Sequence, residues 1–229
     1  MTTRTLRDPD DRRIDVTEES DGKLLVTWDD VKYWREPPSG QWLLWEDAVI
    51  WDYIFDDRRP EKLTYLVRRR RADWLQDLLN PHSPCREAYV SVLDQPGDQG
   101  LPALFMAVLE QDDEVVKALA SAGANPEHRQ LPSAWHYNLT GWSPLAYVIS
   151  KLPDPRLFQS LLEYPDFTRE GMLQVREEVW DHARAHAGLR RSYLEMLTSI
   201  ERYGQSKNWA PFAALPPLQT SGGYTPGGI

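Results

Sequence analysis

Two histidines have the spacing that metal chemistry uses. His182 and His186 lie four positions apart in the segment DHARAH, and in a helix this spacing puts two imidazoles on one face. A zinc metalloprotease helix would also need Glu directly after the first histidine, where this chain has Ala183. The sequence offers no obvious third ligand. We therefore expect a solvated helix face, with no metal site and no cofactor.

The only cysteine, Cys85, follows His82 in the segment HSPC. A cysteine nucleophile needs a base within hydrogen-bond distance and a third group that orients that base. The sequence points to no such group, and it contains neither a Gly-rich phosphate loop nor a Gly-x-Ser-x-Gly motif. We therefore predict no catalytic residue and a protein that is not an enzyme. An enzyme with a site in the N-terminal region is the alternative.

A run of four arginines, residues 68–71, is the strongest basic feature. Residues 58–71 carry seven basic and one acidic side chain, whereas residues 10–57 carry 14 acidic and five basic ones. Nucleic-acid binding is one interpretation of such a run. The acidic segment that precedes it makes internal pairing of charges the favoured one.

The overall charge restricts the classes of partner that the chain is expected to bind. The formal net charge is -9, so nucleic acid and anionic membrane surfaces are expected to repel the chain, and a basic protein partner is favoured. A single cysteine fits a reducing compartment. The first 20 residues lack an apolar signal segment, and no apolar run reaches the length of a membrane helix. We expect a cytoplasmic protein.

Tryptophan is concentrated in the first third of the chain. Six of the ten tryptophans lie between residues 28 and 74: Trp28, Trp34, Trp42, Trp45, Trp51 and Trp74. Most are expected in the core. Because a short, turn-rich segment has little interior and Trp is seldom fully buried, at least two of them are candidates to line a binding surface.

The order of elements follows from the residue patterns. Residues 1–12 are polar and are expected to form a loose arm. Aromatic runs at Leu24–Trp28 and Gln41–Trp45, separated by the turn Pro37–Gly40, predict a small hairpin. Helical spacing then predicts helices around residues 49–54, after Pro60, and over Ala72–Leu79.

A repeat begins at Gly100 and again at Gly141, with an offset of 41 residues. Leu104 corresponds to Leu145, and the apolar pair Val115–Val116 corresponds to Leu157–Phe158. Small residues and Gly123 close the first copy, at a position where a left-handed backbone favours glycine. A single unit of this kind cannot bury its apolar face alone, so neighbouring helix pairs are expected on both sides. The predicted neighbours are residues 60–80, Met172–Arg184 and Leu189–Ile200.

These copies resemble ankyrin repeats. Gly141, Ser143, Pro144 and Leu145 match the family's turn, with Ser in place of Thr, and Glu114–Pro126 matches the second helix and its Gly-Ala-Asn end. The resemblance covers about residues 97–168, and the second copy lacks the Gly-Ala pair. It implies a mainly α-helical fold of stacked helix pairs, an ankyrin-like solenoid, with a small β or extended element at the N-terminus. Three regions are predicted: residues 1–57, an aromatic and acidic region with a hairpin and a helix; residues 58–204, the repeat stack; and residues 205–229, an irregular Pro- and Gly-rich tail that either wraps the body or is disordered.

The resemblance also implies where a partner binds. Long connections and first helices form the recognition face of ankyrin repeats, and here the connection Glu127–Leu139 is longer than usual. The candidate partner-binding residues, with two aromatic residues from the N-terminal region, are Trp135, His136, Tyr137, Phe105, Asp94, Asp98, Trp42 and Trp45.

Binding of a protein is the expected function of such a scaffold. The leading hypothesis is a bacterial immunity protein that neutralises a cognate toxin, with a basic toxin encoded nearby as the candidate partner. The alternative is an ankyrin-like scaffold or secreted effector that recruits a host protein.

Overall fold

The computed structural model describes residues 2–20, 23–29, 31–35, 46–55, 59–131 and 137–217. About 53% of the described residues are helical, and they form ten α-helices, short 3₁₀ turns and one four-stranded antiparallel sheet near the N-terminus. The prediction of a mainly helical protein with a small N-terminal β element is therefore confirmed.

The sheet is a meander of four strands in sequence order, β1 (Thr2–Arg7), β2 (Arg13–Glu18), β3 (Leu24–Trp28) and β4 (Val31–Arg35). Alternate side chains form its buried face: Leu6, Ile14, Val16, Leu24 and Val26. The predicted loose arm is wrong, because Thr2–Arg7 pairs along its whole length with β2. The predicted strand Leu24–Trp28 is confirmed, but it pairs with β2 and β4. The expected partner strand Gln41–Trp45 lies outside the described residues.

Ten α-helices follow: α1 (Asp47–Ile54), α2 (Arg59–Arg68), α3 (Ala72–Leu79), α4 (Arg86–Val90), α5 (Ala103–Leu109), α6 (Asp113–Ser121), α7 (Pro144–Ser150), α8 (Pro155–Leu161), α9 (Arg169–Ala185) and α10 (Arg190–Ser206). Each helix predicted from apolar spacing is present. Three of the helices in the repeated segments begin at a side chain that accepts a backbone N–H, as helix N-caps do: Asp112, Ser143 and Asp154. Gly123 has a φ of 107°, as its place after α6 predicted.

The helices contact one another in two rows. One row runs α2, α5, α7 and α9, and the other runs α3, α6, α8 and α10. Consecutive helices also pair across the rows, as α2 with α3, α5 with α6, α7 with α8, and α9 with α10. A single cluster of buried apolar side chains extends from the sheet to α10.

Both ends of these rows are covered. At the N-terminal end α1 packs on α3, and the sheet reaches α2 through Asp10, which accepts hydrogen bonds from Tyr65 and pairs with Arg69 at 2.7 Å. At the other end, residues 209–217 fold back, with Trp209, Phe212 and Leu215 packed against the core. The prediction that the tail wraps the body holds for this part of the tail.

Candidate partner-binding surface

The connections of the repeats meet at one end of the helix rows. We call this surface the loop end and define it as residues 94–102, 123–131, 137–143 and 162–168. Hydrogen bonds join its segments. The Asn125 N–H donates to Asp94 Oδ1 at 2.9 Å, and the Leu145 N–H donates to the Pro126 carbonyl at 3.0 Å.

Gln130 anchors the long connection between α6 and α7. Its backbone exchanges hydrogen bonds with the start of the second repeat, donating to Trp142 O at 2.8 Å and accepting from the Gly141 N–H at 2.9 Å. Its side-chain amide donates to the Gly100 carbonyl at 2.7 Å. Because Gln130 is only 4% exposed, these bonds are shielded from water. The connection therefore leaves the body on a fixed stem, and the next residue, Leu131, is 65% exposed.

Carboxylates surround a half-buried tyrosine on the loop end. Burial raises the pKa of Tyr164, and the negative charges of Asp166, Asp94 and Glu127 raise it further. Burial also raises the pKa of the neighbouring Tyr203, again with a contribution from Asp166. The negative charges of these carboxylates favour a cation over an anion as the group that approaches Tyr164.

A lysine of this chain already uses that surface. Lys207 lies 5.4 Å from the centre of the Tyr203 ring, and its ammonium group donates to the Pro165 carbonyl at 3.2 Å. Tyr203 in turn donates to the Tyr164 carbonyl at 3.1 Å. The two tyrosines and Lys207 border a cleft of about 400 Å³ between α8 and α10. The arrangement accepts a basic side chain through a ring face and a carbonyl oxygen together.

The structure places the predicted binding residues in different environments. Asp94 lies on the loop end, where its carboxylate accepts the Asn125 N–H, and its role in binding stays a prediction. Phe105 was assigned to this surface wrongly: it is fully buried, with its ring edge-to-face against Tyr147 at 5.6 Å. Asp98 and Tyr137 are each part of a short 3₁₀ turn at this end of the rows. The other predicted residues, Trp135, His136, Trp42 and Trp45, lie outside the described residues.

Trp34 is a second candidate contact, remote from the repeats in sequence. Its side chain is 55% exposed on β4, where Val31 is 59% exposed. Trp51 and Trp74 are buried, and half-buried Trp28 packs on Phe55. Trp34 is thus the one exposed tryptophan among these four.

The N-terminal region also holds a buried polar network. The Lys62 ammonium donates to Asp52 Oδ1 at 2.7 Å, and the Tyr89 hydroxyl donates to the same oxygen at 2.5 Å. All three side chains are buried. Burial raises the pKa of Cys85 nearby, which is the opposite of the shift that activates a thiol nucleophile. These contacts join α1, α2 and α4, and they support a structural role for the cluster.

The arginine run is used partly within the chain. Arg69 pairs with Asp10 at 2.7 Å and Arg71 with Asp73 at 2.8 Å. Both contacts fit the favoured interpretation of internal charge pairing. Asp10 belongs to the acidic N-terminal segment that the sequence marked as the complement of this run.

The described residues contain no group of three or more His, Cys, Asp or Glu side chains arranged to hold a metal ion. None of the helices in the described ranges is both long enough and apolar enough to span a membrane. Comparisons with family models, curated proteins and solved structures found no match.

Proposed function

We propose that this protein binds another protein through the loop end. The observation that carries the proposal is the stem at Gln130, whose buried hydrogen bonds hold Gln130 and the exposed Leu131 next to an acidic surface with half-buried tyrosines. Residues that are held in place before binding lose less conformational entropy when a partner binds. Tyrosine and acidic groups together suit a basic protein surface.

The scaffold behind this surface is, in our proposal, a divergent ankyrin-like solenoid. Two rows of paired helices, capped helix starts and a left-handed Gly123 after α6 all support it. The three connections between successive pairs lie at the same end of the rows. Such a stack functions as an extended binding surface because its repeats hold the connections side by side.

The partner that we propose is a basic toxin, and the protein is then its immunity protein. The net charge of -9 would accelerate association with a basic surface. Tyr164 and the exposed Leu131 would slow dissociation by contacts that exclude water. The internal contact of Lys207 with Tyr203 illustrates how this surface takes up a basic side chain.

A growth experiment tests the biological role. The product of the neighbouring gene is expressed alone and together with this protein. Toxicity of the neighbour that is relieved by co-expression is the expected result. A harmless neighbour, or equal lethality in both cultures, would overturn the immunity role. A harmless neighbour that still binds the protein would favour the scaffold or effector alternative.

Charge reversal tests the surface with a matched control. Glu127 and Asp166 are exposed on the loop end, whereas Glu177 and Glu178 are exposed on α9. The double variant E127K/D166K should weaken partner binding by about 100-fold, since lost attraction becomes repulsion. The variant E177K/E178K has the same net charge and should change binding less than about threefold. Equal losses in both variants would mean that net charge alone acts and that the loop end is not the contact.

A further inference from the structure

His182 lies in the last turn of α9 and His186 is the C-cap residue that follows the helix, with the two rings stacked. The ring centroids are 5.7 Å apart and the ring planes differ by 17°. The Tyr193 ring of α10 lies beside both imidazoles, at 5.7 Å and 6.3 Å. His186 is exposed and His182 is half-buried, so solvent and small ions reach the pair.

Hydrogen bonds determine which nitrogen of each ring carries the proton. Nδ1 of His182 lies 3.0 Å from the Glu178 carbonyl oxygen, and Nδ1 of His186 lies 3.2 Å from the His182 carbonyl oxygen. A carbonyl oxygen only accepts, so each neutral imidazole donates from Nδ1–H and keeps a lone pair on Nε2. Metal-binding histidines commonly have this arrangement, with the second ring nitrogen held by a carbonyl.

The position on the helix favours a cation. The C-terminal end of a helix carries partial negative charge, and the pair lies at this end of α9. Charged neighbours on the same element are the exposed Glu178, and Asp181, which pairs with Arg184 at 3.7 Å. Imidazole nitrogen is a preferred ligand for first-row divalent metals, with copper at the top of the affinity order.

We propose that His182 and His186 form a two-histidine site for a divalent transition metal ion such as Cu²⁺, bound through the two Nε2 atoms. The site is distinct from the loop end and does not depend on the proposed partner. The rings lie nearly parallel with their centroids 5.7 Å apart, so the side chains turn on binding to bring both Nε2 lone pairs onto one ion, and solvent completes its coordination. Because His182 lies in the last turn of α9 and His186 caps the helix, a bound ion links the cap to that turn and opposes fraying of the helix end.

Titration of the full chain with Cu²⁺, followed by electron paramagnetic resonance, tests the site. The wild type should show one tight site with two coupled nitrogens. H182N and H186N should each weaken binding by about tenfold or more, whereas H128N, a histidine elsewhere on the surface, should leave it unchanged. Binding to either single variant that equals the wild type, or a signal from only one nitrogen, would overturn the proposal.

A second readout keeps the test independent of the variants' folding. Hydrogen exchange of the amides in the last turns of α9 is measured in the wild type alone. Cu²⁺ should slow this exchange, and adding a chelator should restore it. Mg²⁺, which prefers oxygen ligands, should have no effect. Unchanged exchange with saturating Cu²⁺ would contradict the proposal.

Discussion

The two ends of the helix rows are closed in different ways. At the N-terminal end, a four-stranded sheet and α1 are held by several polar contacts, among them Asp10 with Arg69 and Arg4 with Asp47. At the C-terminal end, a short tail suffices, with Phe212 between the guanidinium groups of Arg169 and Arg176, at 5.6 Å and 5.3 Å. Arg176 also donates to the Ala213 carbonyl at 2.8 Å.

The two covers differ in the kind of interaction that stabilises them. A stack of repeats must cover its terminal pairs, because their outer faces have no neighbour. The N-terminal cover spreads its stabilisation over ion pairs and hydrogen bonds in three elements. The C-terminal cover depends mainly on the packing of the aromatic and apolar side chains of Trp209, Phe212 and Leu215. The N-terminal end should therefore respond to single charge changes and to pH, and the C-terminal end to the loss of an aromatic side chain.

The largest effect is expected for Asp52→Ala in the network beneath the N-terminal cover. Lys62 and Asp52 are 5% and 6% exposed, and removal of one member of a buried ion pair costs about 3–5 kcal/mol of unfolding free energy. Urea denaturation measures the loss. Adding Lys62→Met should recover much of it, because no unpaired charge then remains buried. A loss below about 1 kcal/mol would show that the network contributes little.

At the C-terminal end, Phe212→Ala should lower the unfolding free energy by about 2 kcal/mol, from lost burial and two lost cation–π contacts. Gly204 provides the sharper test. A Cβ on Gly204 would lie 3.1 Å from the Phe212 ring, so Gly204→Ala should destabilise the wild type. In the Phe212→Ala background the same change should stabilise α10 by about 1 kcal/mol, the helix propensity difference. The same sign in both backgrounds would contradict this packing.

Asp10→Asn should cost the N-terminal end about 1 kcal/mol, because it removes the ion pair with Arg69 and weakens the acceptor for Tyr65. Faster hydrogen exchange in β1 and β2 should accompany the loss. The matched control is Asp11→Asn, since the Asp11 pair with Arg7 has side chains 83% and 63% exposed. That change should cost at most a few tenths of a kcal/mol. Equal costs would mean that Asp10 does not anchor the sheet.

The smallest effect is expected for Asp77→Asn, which should raise the unfolding free energy instead of lowering it. Burial raises the pKa of Asp77, as do the charges of Glu46, Asp73 and Asp47. The folded state thus binds this proton more tightly than the unfolded state, so the contribution to stability is present at low pH and is lost as the pH rises through the folded-state pKa. Asp77→Asn should therefore stabilise the protein by about 0.2–0.5 kcal/mol at neutral pH, because it relieves a like-charge i,i+4 pair.

The neighbouring Asp73 is the control for the direction of this change in unfolding free energy. A hydrogen bond from Arg71 lowers the pKa of Asp73, so its contribution is present above the unfolded-state pKa and is lost as the pH falls. Asp73→Asn should therefore destabilise at neutral pH, and both differences should shrink near about pH 3. Unfolding midpoints at the two pH values measure this. Changes of one sign at both positions would contradict the assignment.

Sequence patterns predicted the helices well and the sheet only in part. Leu104, Val115 and Leu145 each belong to a run of apolar residues with helical spacing. The helix N-caps Asp112 and Ser143 are also recognisable from the local sequence. β1 has no comparable signal, because Leu6 is its single large apolar residue. Its strand depends on pairing with β2, and that is a tertiary interaction.

The residues of the proposed surface were predicted only in part. The repeat pattern pointed to Asp94 and the long connection, and their role in binding stays a prediction. The assignment of Phe105 to the surface was wrong, because Tyr147 of α7, in the second repeat, packs against its ring, and a single repeat does not reveal its neighbour. Tyr164 and Asp166 were not among the predicted surface residues, because their segment departs from the repeat pattern. Their proximity to Asp94 depends on stacking of the two repeats.

Gln130 and its neighbour Leu131 differ in what the fold requires of them. The buried amide and backbone of Gln130 bind main-chain atoms of Gly100, Gly141 and Trp142, so the junction of the two repeats depends on Gln130 and not on the exposed side chain of Leu131. Leu131 and other exposed loop-end residues can therefore be replaced while the packing of the helices is retained, because surface positions tolerate substitution. One scaffold could then acquire a new specificity by changing only a few codons.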